Sequence, residues 1–181
     1  MKKILFIIFC FLQVSLIAQT NIPSAQSIII NTCKEAAKQN KKVFIIFHAS
    51  WCGWCHKMDS SMNDVSCKSY FEKSFVIAHI TVYERGDKEK LNNAGGEDIL
   101  KKYHANTQGI PAWFILDKDG KLLADSQIRP TGASLDTEGK NVGCPAQKDE
   151  VEHFIKVLKQ TTTLNAANEN AIRTKFLKNS E

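Results

Sequence analysis

The stretch Val43–Met58, VFIIFHASWCGWCHKM, decides how the rest of the chain is read. Val43–Phe47 is an unbroken run of β-branched and aromatic residues, the pattern of a strand buried on both faces. His48, Ala49 and Ser50 form a short turn, and beyond Cys52 only Gly53 resists a helix, with Met58 and Met62 one helical turn apart. Cys52 is therefore expected where a buried strand hands over to a helix N-terminus. Free N–H groups and the helix dipole favour negative charge there. A thiol so placed loses its proton more readily, and the thiolate is the reactive form.

The 181 residues hold one domain with a sizeable core and a segment or two outside it, and 43% hydrophobic with 24% charged residues is an ordinary globular balance. The formal charge of +5 includes Lys2 and Lys3; without them it is +5 − 2 = +3, too mild and scattered to imply nucleic acid. Residues 1–19 read as a secretory signal: a basic start, an apolar run Ile4–Ala18, and Ala18-Gln19 as the exit. At ~1.5 Å per residue this run falls short of a ~30 Å hydrocarbon core, although a retained anchor is the alternative. Cys10 lies inside it as a hydrophobic passenger. A periplasmic or secreted bacterial protein is expected. Export changes the reading of the remaining cysteines, because outside a reducing cytosol unpaired thiols are at risk. Cys52 and Cys55 form an evident pair. Cys33, Cys67 and Cys144 are read either as one bridge plus a buried thiol or as three small core residues.

Along the chain, Ser27–Gln39 is expected to be a helix despite its three isoleucines, because Ile29, Cys33, Ala36 and Ala37 repeat at helical spacing. The helix after the cysteines should reach about Ser61, with a further turn or two over Val65–Lys73. Phe75–Val82 is expected to be a second buried strand. The charges of the loop Glu84–Glu97 are read as solvated, and Glu97–His104 as a short helix. Gly109-Ile110-Pro111 leads into a strand Ala112–Leu116. Asp117–Gly120 turns the chain into the returning strand Lys121–Ser126, and its spacing does not match a calcium loop. Ile128–Gln147 is irregular, Asp149–Gln160 is an amphipathic helix, and Ala166–Lys178 is a last helix carrying Ile172, Phe176 and Leu177 inward. Alternating elements imply an α/β fold: a central sheet with parallel strands, an antiparallel last hairpin and helices on both faces.

With these elements in place the sequence resembles the thioredoxin superfamily, and most closely secreted bacterial thioredoxin-like proteins with a W-C-G-W-C-H-K-M segment. The buried strand before Trp51-Cys52-Gly53-Trp54-Cys55, the Gly109-Ile110-Pro111 step before a strand, and the element order carry the match over about residues 27–160. The resemblance implies a thioredoxin fold, a mixed central sheet flanked by helices, with a thioredoxin-like domain over 20–160 and a helical extension over 161–181. It implies a thiol–disulfide oxidoreductase acting on protein thiols and disulfides, with a membrane redox partner and no cofactor or metal, the chain being a monomer. Cys52 would attack, forming a mixed disulfide, and Cys55 would resolve it. Pro111 matches the family's cis-proline, presenting Ile110 as a strand edge to an extended substrate. Trp51 and Trp54 would frame the cysteines, and Gly53 and His56 would modulate them.

Two departures bear on redox direction. Ile46 stands where many cytosolic thioredoxins bury an aspartate, and Gly53-Trp54 replaces their Gly-Pro. The residues between Cys52 and Pro111 exceed those of the smallest members, a surplus assigned to Glu84–Glu97. The same residues admit two rival readings. Cys52-x-x-Cys55-His56 matches c-type haem attachment, but the strand runs argue against such a helical fold. A copper or zinc module would use Cys52, Cys55 and a histidine. His56 beside the pair would favour the thiolate if cationic, or else be a half-exposed helix residue. His79 reads as a satisfied core histidine, and His104 and His153 as surface residues. The segment Ile128–Gln147, which carries Cys144, is expected to overhang the cysteines and shape substrate choice.

Overall fold

A computed structural model describes residues 22–181; the stretch expected to be a signal, residues 1–19, and Cys10 within it lie outside the described residues. Helix α1 (Ala25–Gln39) starts two residues before the expected Ser27, because the Ser24 hydroxyl accepts the Ser27 N–H at 3.2 Å and caps it. Asn40 ends it in the left-handed conformation at φ 52°. Strand β1 (Lys42–His48) follows, then α2 (Gly53–Met62), α3 (Lys68–Ser74) and β2 (Phe75–Thr81). A 3-10 turn at Gly86–Leu91 lies in the predicted loop, followed by α4 (Gly96–Lys102), β3 (Ala112–Leu116) and β4 (Leu122–Asp125). A two-stranded ribbon, β5 (Gln127–Ile128) and β6 (Lys140–Asn141), sits within the stretch read as irregular. Helices α5 (Lys148–Thr161) and α6 (Ala166–Leu177) close the fold.

The main sheet runs β2-β1-β3-β4. Strands β1 and β2 are parallel, whereas β3 is antiparallel to both β1 and β4. The sheet is mixed, as the family resemblance implies, and less parallel than element alternation alone suggests. The chain leaves β2 at Thr81 and returns to β3 at the same end of the sheet, so β3 runs back: Phe47 pairs with Ala112.

Strand alternation divides the core into two layers. Val43, Ile45, Phe47, Phe114 and Leu116 face one cluster with Ala36 of α1 and Leu100 of α4. Phe44, Ile46, Trp113 and Ile115 face the other, with Met58 and Met62 of α2, Phe71 of α3, Phe154 of α5, and Ile172 and Phe176 of α6. The last helix thus contributes to the same apolar layer as the helix that follows the cysteines. Strand β1, central and wholly buried from Val43 to Phe47, is as its sequence requires. Strand β2 is not. It occupies the sheet edge, and Val76–His79 are only half-buried. Its apolar run reflects covering by α1 and α3 rather than burial between strands.

Candidate active site

Cys52 caps α2, with its own backbone still extended at φ −83°, ψ 96°. The first helical turn therefore points its free amides at the sulfur, and the Cys55 N–H donates to Cys52 Sγ at 3.1 Å. Cys52 and Cys55 are joined by a disulfide with Cα atoms 5.2 Å apart. Both sulfurs lie in a small apolar nest with Ala49 and Ile110. Ile46 is wholly buried in β1, in the apolar layer that also holds Met58 and Trp113.

Across the disulfide lies the turn before β3. The Ile110–Pro111 peptide is cis, and the Ile110 carbonyl oxygen stands 3.6 Å from Cys52 Sγ. Gly109 has φ 80°, a conformation that a side chain would strain. Trp51 and Trp54 are each 49% exposed and flank the pair. Trp51 donates its indole N–H to the Tyr83 carbonyl at 2.8 Å, and Arg85 lies over its ring at 4.7 Å. Lys57 lies 4.8 Å over the Trp54 ring and donates to the Asn179 carbonyl at 2.9 Å. A side chain added at Gly53 would meet nothing within 4 Å. His56 is exposed, and its Nε2 sits 3.0 Å from the Ser50 carbonyl.

Glu84 corrects the reading of its loop as merely solvated. It is buried, and its carboxylate accepts from the backbone N–H and the hydroxyl of Ser50. The Ser50 backbone N–H, foremost among its partners, holds the Glu84 carboxyl below the usual carboxylate range. His79 is satisfied, with Nε2 2.8 Å from Asp59 Oδ1. Its ring packs 4.9 Å from that of His48, whose pKa is lowered by burial and then by His79. His153 is half-buried, not a surface residue; its Nε2 has no hydrogen-bond partner, and burial lowers its pKa. It lies on the inward side of α5, with its ring centroid 6.4 Å from that of Trp113.

Cys33, Cys67 and Cys144 are free and buried, which settles the open pairing in favour of three separate thiols. Burial pushes the Cys144 thiol up to about 12, so it stays protonated near neutrality. Among the described residues, no cluster of three or more His, Cys, Asp or Glu is arranged to hold a metal ion, and no helix is long and apolar enough to cross a membrane.

The segment after β4 lies beside the site. Asn141, Val142, Gly143 and Cys144 line a groove of about 260 Å³ together with Trp54, Ile110 and Pro111. This segment is held by a buried ion pair, with Arg129 donating to both Asp125 carboxylate oxygens at 2.7 and 2.6 Å. Arg129 also donates to the Leu135 and Thr137 carbonyls. Sequence reading missed Glu84, Arg129, Asn141 and Asn179, because each acts through a tertiary partner that no local motif announces.

A family model described as thioredoxin-like domain matches residues 31–142. Among solved structures the chain is similar to a disulphide isomerase from Xylella fastidiosa Temecula1, at 17% identity and TM-score 0.48 over 94% of this chain and 99% of that one. It is similar to the C-terminal domain of DsbD from Neisseria meningitidis in its oxidised form, at 19% and 0.43 over 77% and 98%. It is also similar to an N21Q mutant thioredoxin from Halobacterium salinarum NRC-1, at 17% and 0.40 over 79% and 91%. No curated protein sequence matches it. With its cysteine pair at the start of α2 and a cis-proline facing that pair, the chain belongs to the thioredoxin-like domain family.

Proposed function

We propose that the protein is an exported thiol–disulfide oxidoreductase acting on protein substrates through Cys52 and Cys55. One observation carries this reading: Cys52 Sγ accepts the Cys55 amide at the start of α2 and faces the Ile110 carbonyl before cis-Pro111. The amide and the helix start stabilise a thiolate on Cys52 more than on Cys55. In the reduced enzyme, the Cys52 thiolate attacks one sulfur of a substrate disulfide. The substrate S–S bond breaks, and its leaving thiolate takes a proton from water. Deprotonated Cys55 then attacks Cys52 Sγ, forming the Cys52–Cys55 bond and releasing the second substrate thiolate. Two electrons pass from the enzyme dithiol to the substrate, and the reverse sequence oxidises a substrate dithiol. A second thiol–disulfide partner, membrane-bound in an exported setting, resets the pair.

The substrate docks as an extended strand on Ile110, whose N–H and carbonyl have no backbone partner among the described residues. Trp51 and Trp54 provide exposed apolar contact on either side. Export rests on residues 1–19. The test is trapping. Cys55→Ser should accumulate disulfide-linked adducts with envelope proteins, released by dithiothreitol, and Cys52→Ser should not. Equal adducts from both variants, or none from either, would remove the assignment. The reduction potential then fixes the direction, about −270 mV for a reductase and about −120 mV for an oxidase.

A further inference from the structure

The docking edge at Ile110 is shaped by a side chain from outside the sheet. Asn141, on β6, directs its Nδ2 group at three carbonyls of the turn: Pro111 at 3.1 Å, Gly109 at 3.2 Å and Gln108 at 3.4 Å. Its own backbone N–H donates to Gln108 Oε1 at 2.6 Å, and its Oδ1 accepts the Gly143 N–H at 3.1 Å. An amide side chain has two N–H bonds to give, so the two shorter contacts, to Gly109 and Pro111, take them. These carbonyls flank Ile110. The Ile110 carbonyl is the one turned away, toward Cys52 Sγ.

The ribbon that carries Asn141 is itself fixed. Gln127 pairs with Asn141 in the ladder, and the Val142 N–H donates to the Ser126 carbonyl at 2.8 Å. Ser126 in turn is tied to β3, where its N–H donates to the Trp113 carbonyl at 2.9 Å. The Gly139 N–H donates to Gln127 Oε1 at 2.9 Å. A rigid scaffold thus holds a donor against a turn that has no regular partner of its own.

We infer that Asn141 is the positioning residue of the docking edge: by tying down the carbonyls on either side of Ile110, it holds the Ile110 N–H and carbonyl in the orientation that pairs with an extended polypeptide. The inference rests on the oxidoreductase reading above. Without the clamp, the turn 108–111 must be ordered anew each time a strand binds, and that cost falls on substrate affinity. A small dithiol, which reaches the sulfurs without pairing to Ile110, feels no such cost.

The experiment compares wild type, Asn141→Ala and Asn141→Asp with two reagents. One is a disulfide-bonded test protein turned over by the reduced enzyme, and the other is dithiothreitol reducing the Cys52–Cys55 bond. Aspartate keeps the acceptor for Gly143 but has no N–H to give and sets a carboxylate against the same carbonyls, so it should lose at least as much as alanine. KM for the protein substrate should rise about tenfold, the effect of one or two lost hydrogen bonds. For Asn141→Ala the dithiothreitol rate and the dithiol–disulfide equilibrium constant should stay within about twofold of wild type. An unchanged KM overturns the inference, and so does a parallel loss of both reactions, which would mark Asn141 as a general structural residue. If wild type itself fails to turn over the protein substrate, the oxidoreductase reading fails instead.

Discussion

Glu84 grips Ser50 just ahead of the cysteine pair, accepting its backbone N–H at 2.5 Å and its hydroxyl at 2.9 Å. Lys88 donates to the same hydroxyl at 3.0 Å. The turn between β1 and α2 is therefore held by a carboxylate from just beyond the end of β2. Glu84→Gln keeps the shape and one acceptor but loses the charge, and should cost about 1 kcal/mol in urea unfolding at pH 7. The folded Glu84 pKa lies below its unfolded value, so its contribution is complete above about pH 4.3 and is lost as pH falls through the folded value. The gap between wild type and variant should close on acidification. A gap independent of pH would contradict the ionic role.

Breaking the Asp125–Arg129 pair should be the most damaging change outside the apolar core. Their side chains are 1% and 7% exposed, and removing one partner leaves a buried charge alone. Arg129→Ala should lose about 3–5 kcal/mol, whereas replacing both residues by apolar ones of similar size should cost far less. Denaturant midpoints decide this, together with protease cleavage between residues 130 and 139. A loss under about 1 kcal/mol would show that solvent reaches the pair.

Stability should fall on mild acidification because His153 and His48 are held neutral by burial. Their folded pKa values lie below the unfolded value of about 6.5, so the unfolded chain binds protons first as pH drops. The loss begins near pH 6.5 and levels off below the folded values. His153→Phe removes one of the two groups and a buried nitrogen with no partner. It should flatten the slope between pH 7 and 5. A slope equal to that of wild type would assign the effect elsewhere.

Asn179 joins α2 to the segment that lines the groove beside Trp54 and Pro111. Its side chain accepts the Ser61 hydroxyl at 3.0 Å and donates to the Pro145 carbonyl at 3.1 Å and to Cys144 Sγ at 3.4 Å. Asn179→Ala should cost about 2 kcal/mol, the effect of leaving buried partners unpaired. It should also open Cys144, whose thiol is otherwise buried and protonated, to iodoacetamide at pH 8. Labelling as slow as in wild type would show that Asn179 does not seal that thiol.

Much of the fold could be read from local pattern, and the exceptions share a cause. The run VFIIF reads as a strand covered on both faces, and β1 is buried from Val43 to Phe47, as β3 is from Ala112 to Leu116. Cys52, Cys55 and the step before Pro111 were legible as motif positions, and the structure sets Cys52 and Ile110 face to face. The run FVIAHITV misled, since covering helices make an edge strand as apolar as a central one. Periodicity does not tell which neighbour supplies the burial. Glu84 and Asn141 were illegible for a different reason. A polar residue in a loop has the same local signature whether it meets water or a backbone amide, and the difference lies in partners 34 and 30 positions away.

Lys57 meets the Asn179 carbonyl across 122 positions of sequence, and Ser61 meets its side chain across 118. Helix α2 has ten residues, fewer than the roughly 12–15 at which an isolated helix becomes even marginal in water. Its order is therefore borrowed from contacts whose closure entropy must be met before they form. The β3–β4 hairpin, closed by a tight turn, carries no such delay. Pulse-labelled amides should become protected in β3 and β4 before α2, and simultaneous protection would refute this order. A nascent chain thus offers Cys52 and Cys55 to the surrounding thiol pool while its groove is still unfinished.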